Sequence, residues 1–114
     1  MKYILKTTVA SLALLSFGLP SSASASSITG AHITHIVPNN AGVLQFNLDM
    51  VRTGLPTCTT ASASFSINVN TLAGQTMAAT LLTAMASNLP VDIGGTGTCE
   101  FTNLEAVGYL AIHR

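Results

Sequence analysis

Three histidines, His32, His35 and His113, are the first residues to consider as metal ligands. His32 and His35 lie an odd number of positions apart, so on a strand their side chains point to opposite faces. They cannot bind one ion together without a bulge. Cys58 and Cys99 are 41 positions apart and have no histidine beside them, which is a poor pattern for zinc. The sequence therefore predicts no metal or cofactor site. It predicts that the histidines lie on strands and are exposed or half-buried.

Nucleophilic and acid-base chemistry finds no better support. A serine nucleophile needs a base that a third group holds in place, and no motif such as G-x-S-x-G selects one of the many serines. Glycoside hydrolysis needs two paired carboxylates, and the spacing of the candidates suggests only surface charge. These candidates are Asp49, Asp92, Glu100 and Glu105. The glycine-rich stretch at 94–99, "GGTGTC", precedes a strand rather than a phosphate-binding helix N-terminus, so it predicts a tight turn. No catalytic residue is predicted, and the protein is not expected to be an enzyme.

Residues 1–25 have the organisation of a signal peptide. Lys2 and Lys6 precede an apolar run over 9–19, and Ala23-Ser24-Ala25 supplies the small residues of a cleavage site. The apolar run is shorter than the ~20 residues that a membrane-spanning helix needs, which disfavours the alternative of a membrane anchor. We expect export by the Sec route, cleavage after Ala25 and a periplasmic or secreted product.

The remaining 89 residues, 26–114, are enough for one small domain. Arg52 and Arg114 oppose four carboxylates, a formal charge of −2, and charged residues are far rarer than the ~25% usual in soluble domains. Without a basic cluster to neutralise phosphates, nucleic acid is excluded as a partner. A surface with so little net charge favours association between copies.

Cys58 and Cys99 are the two cysteines of the chain. In an exported protein an even number of cysteines indicates a disulfide, and two cysteines allow one intramolecular pairing. Closing a loop of about 40 residues would stabilise the fold by roughly 4 kcal/mol. A metal site or a reactive thiol is the alternative.

Alternation of apolar and polar residues predicts five strands. Residues 28–37 and 43–50 form a hairpin around the turn "PNNAG", and 63–70 alternates most regularly. Residues 91–93 and 104–112 are predicted as the last two strands.

The period becomes helical over 71–88, after a cap at Asn70 or Thr71 and before Pro90, which ends the helix. The predicted inner face comprises Ala78, Leu81, Leu82, Met85 and Leu89. The opposite face carries no charge and comprises Gln75, Thr76, Ala79, Thr80, Thr83 and Ser87. This uncharged helix face is either plain solvent-facing surface or a contact with a neighbouring subunit.

The resulting order is β-β-β-α-β-β in a single domain over 26–114. A helix between the third and fourth of five strands is the order of the OB-fold, a mainly β, partly open five-stranded barrel. In such a barrel the third and fifth strands lie side by side in the same direction, so Cys58 and Cys99, which precede them, would meet at one end. A small β-sandwich is the alternative, although it does not require so long a helix.

The segment 58–112 resembles a group of small exported bacterial proteins. The features that carry the resemblance are a cysteine, an alternating strand, a helix with "LLTA", a "PVDI" strand, a "GTGTC" turn and a final "EAVGYLAI" strand. These proteins are distantly related to the B subunits of subtilase-type cytotoxins and their pertussis-like relatives. Those B subunits are OB-folds that form pentameric rings and bind sialylated glycans on host cells.

The resemblance implies an exported binding module that recognises a glycan or another host-surface molecule and forms a pentamer through the uncharged helix face. The chain has no Trp, and Tyr109 is the one Tyr after residue 25, so no sugar-stacking residue is carried over. The hydroxyls of Thr59, Thr60 and Ser62, near the predicted barrel rim, are the candidate ligand-binding groups, unless they merely hydrate a strand edge. The alternative function is a small structural or protein-interaction accessory domain without a small ligand.

Overall fold

The computed structural model describes residues 25–100 and 102–114. The predicted signal peptide, 1–25, lies outside the described residues except for Ala25. Six strands and one helix follow: β1 (Ser27–Ala31), β2 (Ile33–Pro38), β3 (Val43–Leu48), β4 (Ser64–Asn68), α1 (Leu72–Ala86), β5 (Val91–Gly95) and β6 (Val107–Ile112). The prediction of a mainly β fold with one helix before the last two strands is confirmed.

The strands form two antiparallel three-stranded sheets, with the orders β1-β5-β6 and β2-β3-β4. The predicted hairpin of the first two strands is present as β2 and β3. The prediction of one strand over 28–37 is wrong, because β1 and β2 belong to different sheets and are separated at His32.

Two aspartates explain where this strand divides. The Asp49 carboxylate accepts a hydrogen bond from the backbone N–H of His32 at 2.7 Å, and the Asp49 N–H donates to the His32 carbonyl at 3.0 Å. Asp92 accepts from the N–H of Gly30 at 2.8 Å, where a positive φ of 71° accompanies an irregular register between β1 and β5. The backbone N–H groups of Gly30 and His32 thus bond to aspartate side chains instead of to a neighbouring strand, and Gly30 adopts a conformation that favours glycine. The chain therefore passes from one sheet to the other at this point.

The described residues form six strands in two sheets instead of the five strands predicted for a partly open barrel, and the two sheets do not close into a barrel. One isolated bridge, between Ser66 and Ala106, links β4 to the segment before β6. The bridge is parallel, and the Ser66 N–H donates to the Glu105 carbonyl at 3.0 Å. The two segments therefore run in the same direction, as the predicted barrel required, but the hydrogen-bonded pairing between them does not continue beyond this bridge.

Helix α1 begins and ends where the sequence predicts, within two residues. Thr71 is the N-cap, and its Oγ1 accepts from the N–H of Gly74 at 3.0 Å. After Ala86 the chain turns through Asn88, whose φ is 52°. The Leu89 N–H then bonds to the Ala84 carbonyl at 2.9 Å, which completes a Schellman motif before Pro90.

The buried side of α1 differs from the predicted one. Its buried residues are Gly74, Ala78, Leu81 and Ala84. Leu82 and Met85, predicted as core, are 52% and 40% exposed. Because three of these four buried residues are small, the buried face of the helix is narrow and the helix lies close to the strands. A Cβ on Gly74 would overlap the backbone carbonyl of Asn68 at the end of β4.

The core lies between the helix and the two sheets. The Phe46 and Phe65 rings stack with their centroids 6.1 Å apart, and both are buried. The other large apolar side chains that are fully buried are Ile67, Leu81, Val91 and Ile93. The predicted inward faces of 43–48 and 64–68 are confirmed, whereas Met50, which follows the end of β3, is exposed.

Candidate functional site

The predicted disulfide is present. Cys58 and Cys99 are bonded, with their Cα atoms 6.0 Å apart. The bond joins the loop before β4 to the loop before β6, two segments that precede the bridged chains. It is consistent with an extracellular or periplasmic location.

The three predicted ligand-binding residues lie on the loop that follows Cys58. Thr59 is buried, and its Oγ1 accepts from the Ala61 N–H at 3.1 Å. Ser62 is half-buried, and its carbonyl accepts from the backbone N–H and the guanidinium of Arg52 at 3.0 and 2.9 Å. Thr60 is exposed. The structure thus brings the three residues onto one loop, but Thr59 and Ser62 make contacts that hold this loop in place.

A buried ion pair lies behind this loop. The side chains of Arg52 and Glu105 are 1% and 0% exposed, and Arg52 Nη2 lies 3.5 Å from Glu105 Oε1. The guanidinium carbon is 3.7 Å from the centre of the Phe65 ring, a cation–π contact. Burial lowers the pKa of Arg52, and the charge of Glu105 opposes this effect.

The Glu105 carboxylate also binds two backbone segments. Its Oε2 accepts from the N–H of Ser26 at 3.1 Å and from the N–H of Gly97 at 2.9 Å. The Ser26 hydroxyl contacts Glu105 Oε1 and accepts from Arg52 Nε at 2.6 Å. The glycine-rich turn therefore donates to an internal carboxylate. Sequence reasoning missed this cluster because it treated every carboxylate as surface charge, although Glu105 stands between the apolar residues Leu104 and Ala106.

A cavity of about 170 Å³ opens beside the bridge between Ser66 and Ala106. It lies between the end of β4, the first turns of α1 and the start of β6. Its apolar lining consists of Met77, Ala106 and Val107. Its polar lining consists of Ser66, Asn68, Thr71, Thr96 and Glu100. We call this site the β4–β6 cavity.

The polar groups of the β4–β6 cavity can both donate and accept hydrogen bonds. The Asn68 side-chain oxygen accepts from the Asn70 N–H at 3.0 Å, whereas its NH₂ group makes no hydrogen bond within the described residues. Glu100 is exposed, and its carboxylate has no partner in that part of the chain. Glu100 directly follows Cys99, which the disulfide joins to Cys58. Sequence reasoning missed the cavity because its residues come from four separate segments.

No family model, curated protein or solved structure matches this chain.

Two histidine–carboxylate pairs lie outside the lining of the cavity. His113 Nε2 contacts Asp92, and this hydrogen bond, together with the one from the Gly30 N–H, lowers the pKa of Asp92. His32 Nδ1 lies 3.4 Å from Asp49. Among residues 25–100 and 102–114, no three potential metal ligands come together. No helix in the same ranges has the length and apolar character to cross a membrane.

Proposed function

We propose that this protein is an exported, non-enzymatic binding module that accepts a hydroxyl-rich ligand, such as a glycan, in the β4–β6 cavity. The observation that carries the proposal is the combination of an apolar lining, Met77, Ala106 and Val107, with polar groups that include the Asn68 amide and the Glu100 carboxylate. Sugars present C–H groups and hydroxyls together, and such a lining matches both. At about 170 Å³ the cavity is smaller than the ~300–1,000 Å³ of typical small-molecule sites, so it suits one ring-sized group of a larger molecule.

The charge of the cavity favours a neutral glycan. Glu100 is the charged residue of its lining, and a carboxylate at the rim repels a sialic acid while it accepts hydrogen bonds from neutral hydroxyls. Arg52, which could attract an anion, is buried in its own ion pair. The ligand class proposed here therefore differs from the sialylated glycans of the toxin B subunits that the sequence resembles.

Glu100→Gln tests the cavity. We expect this variant to bind an array-selected neutral glycan at least about tenfold more weakly, because charge-assisted hydrogen bonds are worth roughly 1.5–3 kcal/mol. The binding constant is measured by calorimetry on the oxidised protein, after a screen of neutral and sialylated glycans.

Thr60→Ala is the matched control, because Thr60 is exposed on the other side of the same disulfide. We expect it to bind normally. If Thr60→Ala weakens binding and Glu100→Gln does not, the loop of Thr59, Thr60 and Ser62 is the site instead. If neither neutral nor sialylated glycans bind, the glycan proposal fails, and the protein-interaction alternative takes its place.

We also propose that the two sheets are the halves of a partly open, OB-like barrel. β1 and β2 are consecutive and belong to one sheet each, so the segment 27–38 connects the two halves directly. The parallel bridge between Ser66 and Ala106 lies where the third and fifth strands of such a barrel approach each other. This relation supports the likeness to the toxin B subunits.

The uncharged helix face, together with the exposed apolar residues of α1 outside it, is proposed as the contact between copies in a ring. The exposed side of α1 includes Leu72, Leu82 and Met85, of which Leu72 is 80% exposed. Exposed apolar side chains on a helix without charge favour association with an identical surface. The same surface would serve a different protein in the accessory-domain alternative.

Native mass spectrometry of the oxidised protein tests the ring. We expect a pentamer that Leu82→Glu converts to monomer, because the substitution places like charges in every contact. Val37→Glu is the control, since Val37 is an exposed apolar residue on β2 rather than α1. A wild-type protein that remains monomeric at micromolar concentration would contradict the ring.

A further inference from the structure

Ser26 is the first residue after the predicted cleavage site, and its backbone is not at the surface. The residue is 4% exposed, its carbonyl accepts from the Gly95 N–H at 2.8 Å, and its own N–H donates to Glu105 Oε2 at 3.1 Å. Ala25, which precedes it, is exposed. The predicted scissile bond therefore lies at the boundary between solvent and the buried Arg52–Glu105 cluster.

Hydrolysis of the Ala25–Ser26 bond changes the charge of this cluster. A signal peptidase uses one water molecule: the C–N bond breaks, the water oxygen bonds to the Ala25 carbonyl carbon, and the nitrogen leaves with Ser26. At neutral pH the products are an Ala25 carboxylate and a Ser26 α-ammonium. The neutral amide that bonds to Glu105 becomes a cation at the same position.

We infer that the α-ammonium of Ser26 forms an ion pair with Glu105. Processing would thereby complete a cluster of one carboxylate, Glu105, and two cations, Arg52 and the new amino terminus. The inference rests on the export part of the proposed function and is independent of the glycan. Its consequence is that the processed chain gains a charge-assisted bond that the precursor lacks.

The geometry of Glu105 leaves a place for a second cation. The contact with Arg52 is long, 3.5 Å, and involves one oxygen, while Oε2 bonds only to neutral N–H groups. An ammonium at the position of the Ser26 nitrogen places a charge 3.1 Å from Oε2. Because Ala25 is exposed, its removal opens the other side of the nitrogen to water, which can accept the remaining ammonium hydrogens. The charged side chains that hydrogen-bond to Ser26 within the described residues are Glu105 and Arg52.

The sequence makes the α-amino group chemically unique. Both lysines, Lys2 and Lys6, belong to the predicted signal peptide, so a chain that begins at Ser26 has one primary amine. An amine-selective acylating reagent then reports on this group alone.

The experiment is to express the full precursor in an exporting bacterial host, purify the processed protein and determine its amino terminus and intact mass. The native protein is then treated with acetic anhydride, and mono-acetylation is followed by mass spectrometry. We expect acetylation to be at least about tenfold slower than in concentrated guanidinium chloride with the disulfide intact, because an ammonium paired with the buried Glu105 carboxylate becomes a reactive amine only when this contact opens. Glu105→Gln should remove most of this protection, whereas Asp49→Asn, at an exposed carboxylate that bonds to His32 and not to Ser26, should leave it unchanged.

A second measurement covers the possibility that Glu105→Gln does not fold. The wild-type protein is acetylated while unfolded and then refolded, which keeps the N–H but removes the charge. We expect its Tm to fall by at least about 4 °C relative to the unmodified protein. Equal acetylation rates in the native and unfolded states, or an unchanged Tm, would overturn the inference while export stands. An amino terminus other than Ser26 would overturn the inference together with the predicted cleavage site, and neither result bears on glycan binding.

Discussion

Arg52→Met is expected to lower the free energy of unfolding by about 3–5 kcal/mol, the usual cost of leaving a buried charge without its partner. The Glu105 side chain is 0% exposed, so it cannot reach water when the guanidinium is removed. The variant also loses the hydrogen bond from Arg52 to the Ser62 carbonyl and the contact with the Phe65 ring. Denaturant unfolding with the disulfide intact measures the change.

Two further variants show whether the unpaired Glu105 charge causes the loss of stability. Arg114→Met removes the same charge from an exposed position, and we expect it to change stability by less than about 0.5 kcal/mol. The double variant Arg52→Met/Glu105→Leu removes both side-chain charges. It should recover part of the loss, because it leaves neither member of the side-chain pair buried without the other. If Arg52→Met costs no more than Arg114→Met, the buried pair does not stabilise this domain.

The local features of the fold were predictable from the sequence. Thr71 and Pro90 mark the ends of α1 because capping and the missing proline N–H act within a few residues. The alternation over 64–68 correctly predicts that Phe65 and Ile67 point inward, because the direction of successive side chains on a strand is also set locally. The disulfide followed from the count of cysteines in a chain predicted to be exported.

The features that escaped prediction depend on residues distant in sequence. The division at His32 requires the carboxylate of Asp49, which is brought to it by the β2–β3 hairpin. Leu82 and Met85 have helical spacing, but the close approach of Gly74 to β4 turns the smaller Ala78 and Ala84 toward the core. The pairing of Arg52 with Glu105 joins positions 53 residues apart, for which a single sequence offers no signal beyond the apolar neighbours of Glu105.

The cavity and the charge cluster lie on opposite sides of one backbone segment. Glu105 directs its side chain to Arg52 and Ser26, while its carbonyl accepts from the Ser66 N–H at the mouth of the β4–β6 cavity. A change at the buried cluster is therefore placed to alter the cavity through residues 105 and 106.

Cys58→Ser/Cys99→Ser is expected to lower the free energy of unfolding by roughly 4 kcal/mol, because the bond closes a loop with a sequence separation of 41. A domain of this size has a total stability of about 5–10 kcal/mol, so the variant should be close to its unfolding transition at physiological temperature. Thermal unfolding followed by circular dichroism measures the effect. The wild-type protein treated with a reducing phosphine serves as the control and should match the variant, since both lack the bond but differ in the atoms at the two positions.

The same variant separates stability from ligand positioning. Glu100 lines the cavity and is adjacent to Cys99, so loss of the bond releases the segment that holds this carboxylate in place. At a low temperature where the variant remains folded, we expect glycan affinity to fall at least about tenfold, comparable to the loss of one charge-assisted hydrogen bond. A variant that unfolds earlier but binds normally when folded would show that the disulfide stabilises the domain without positioning Glu100. A variant that retains wild-type stability would contradict the expected contribution of the bond itself.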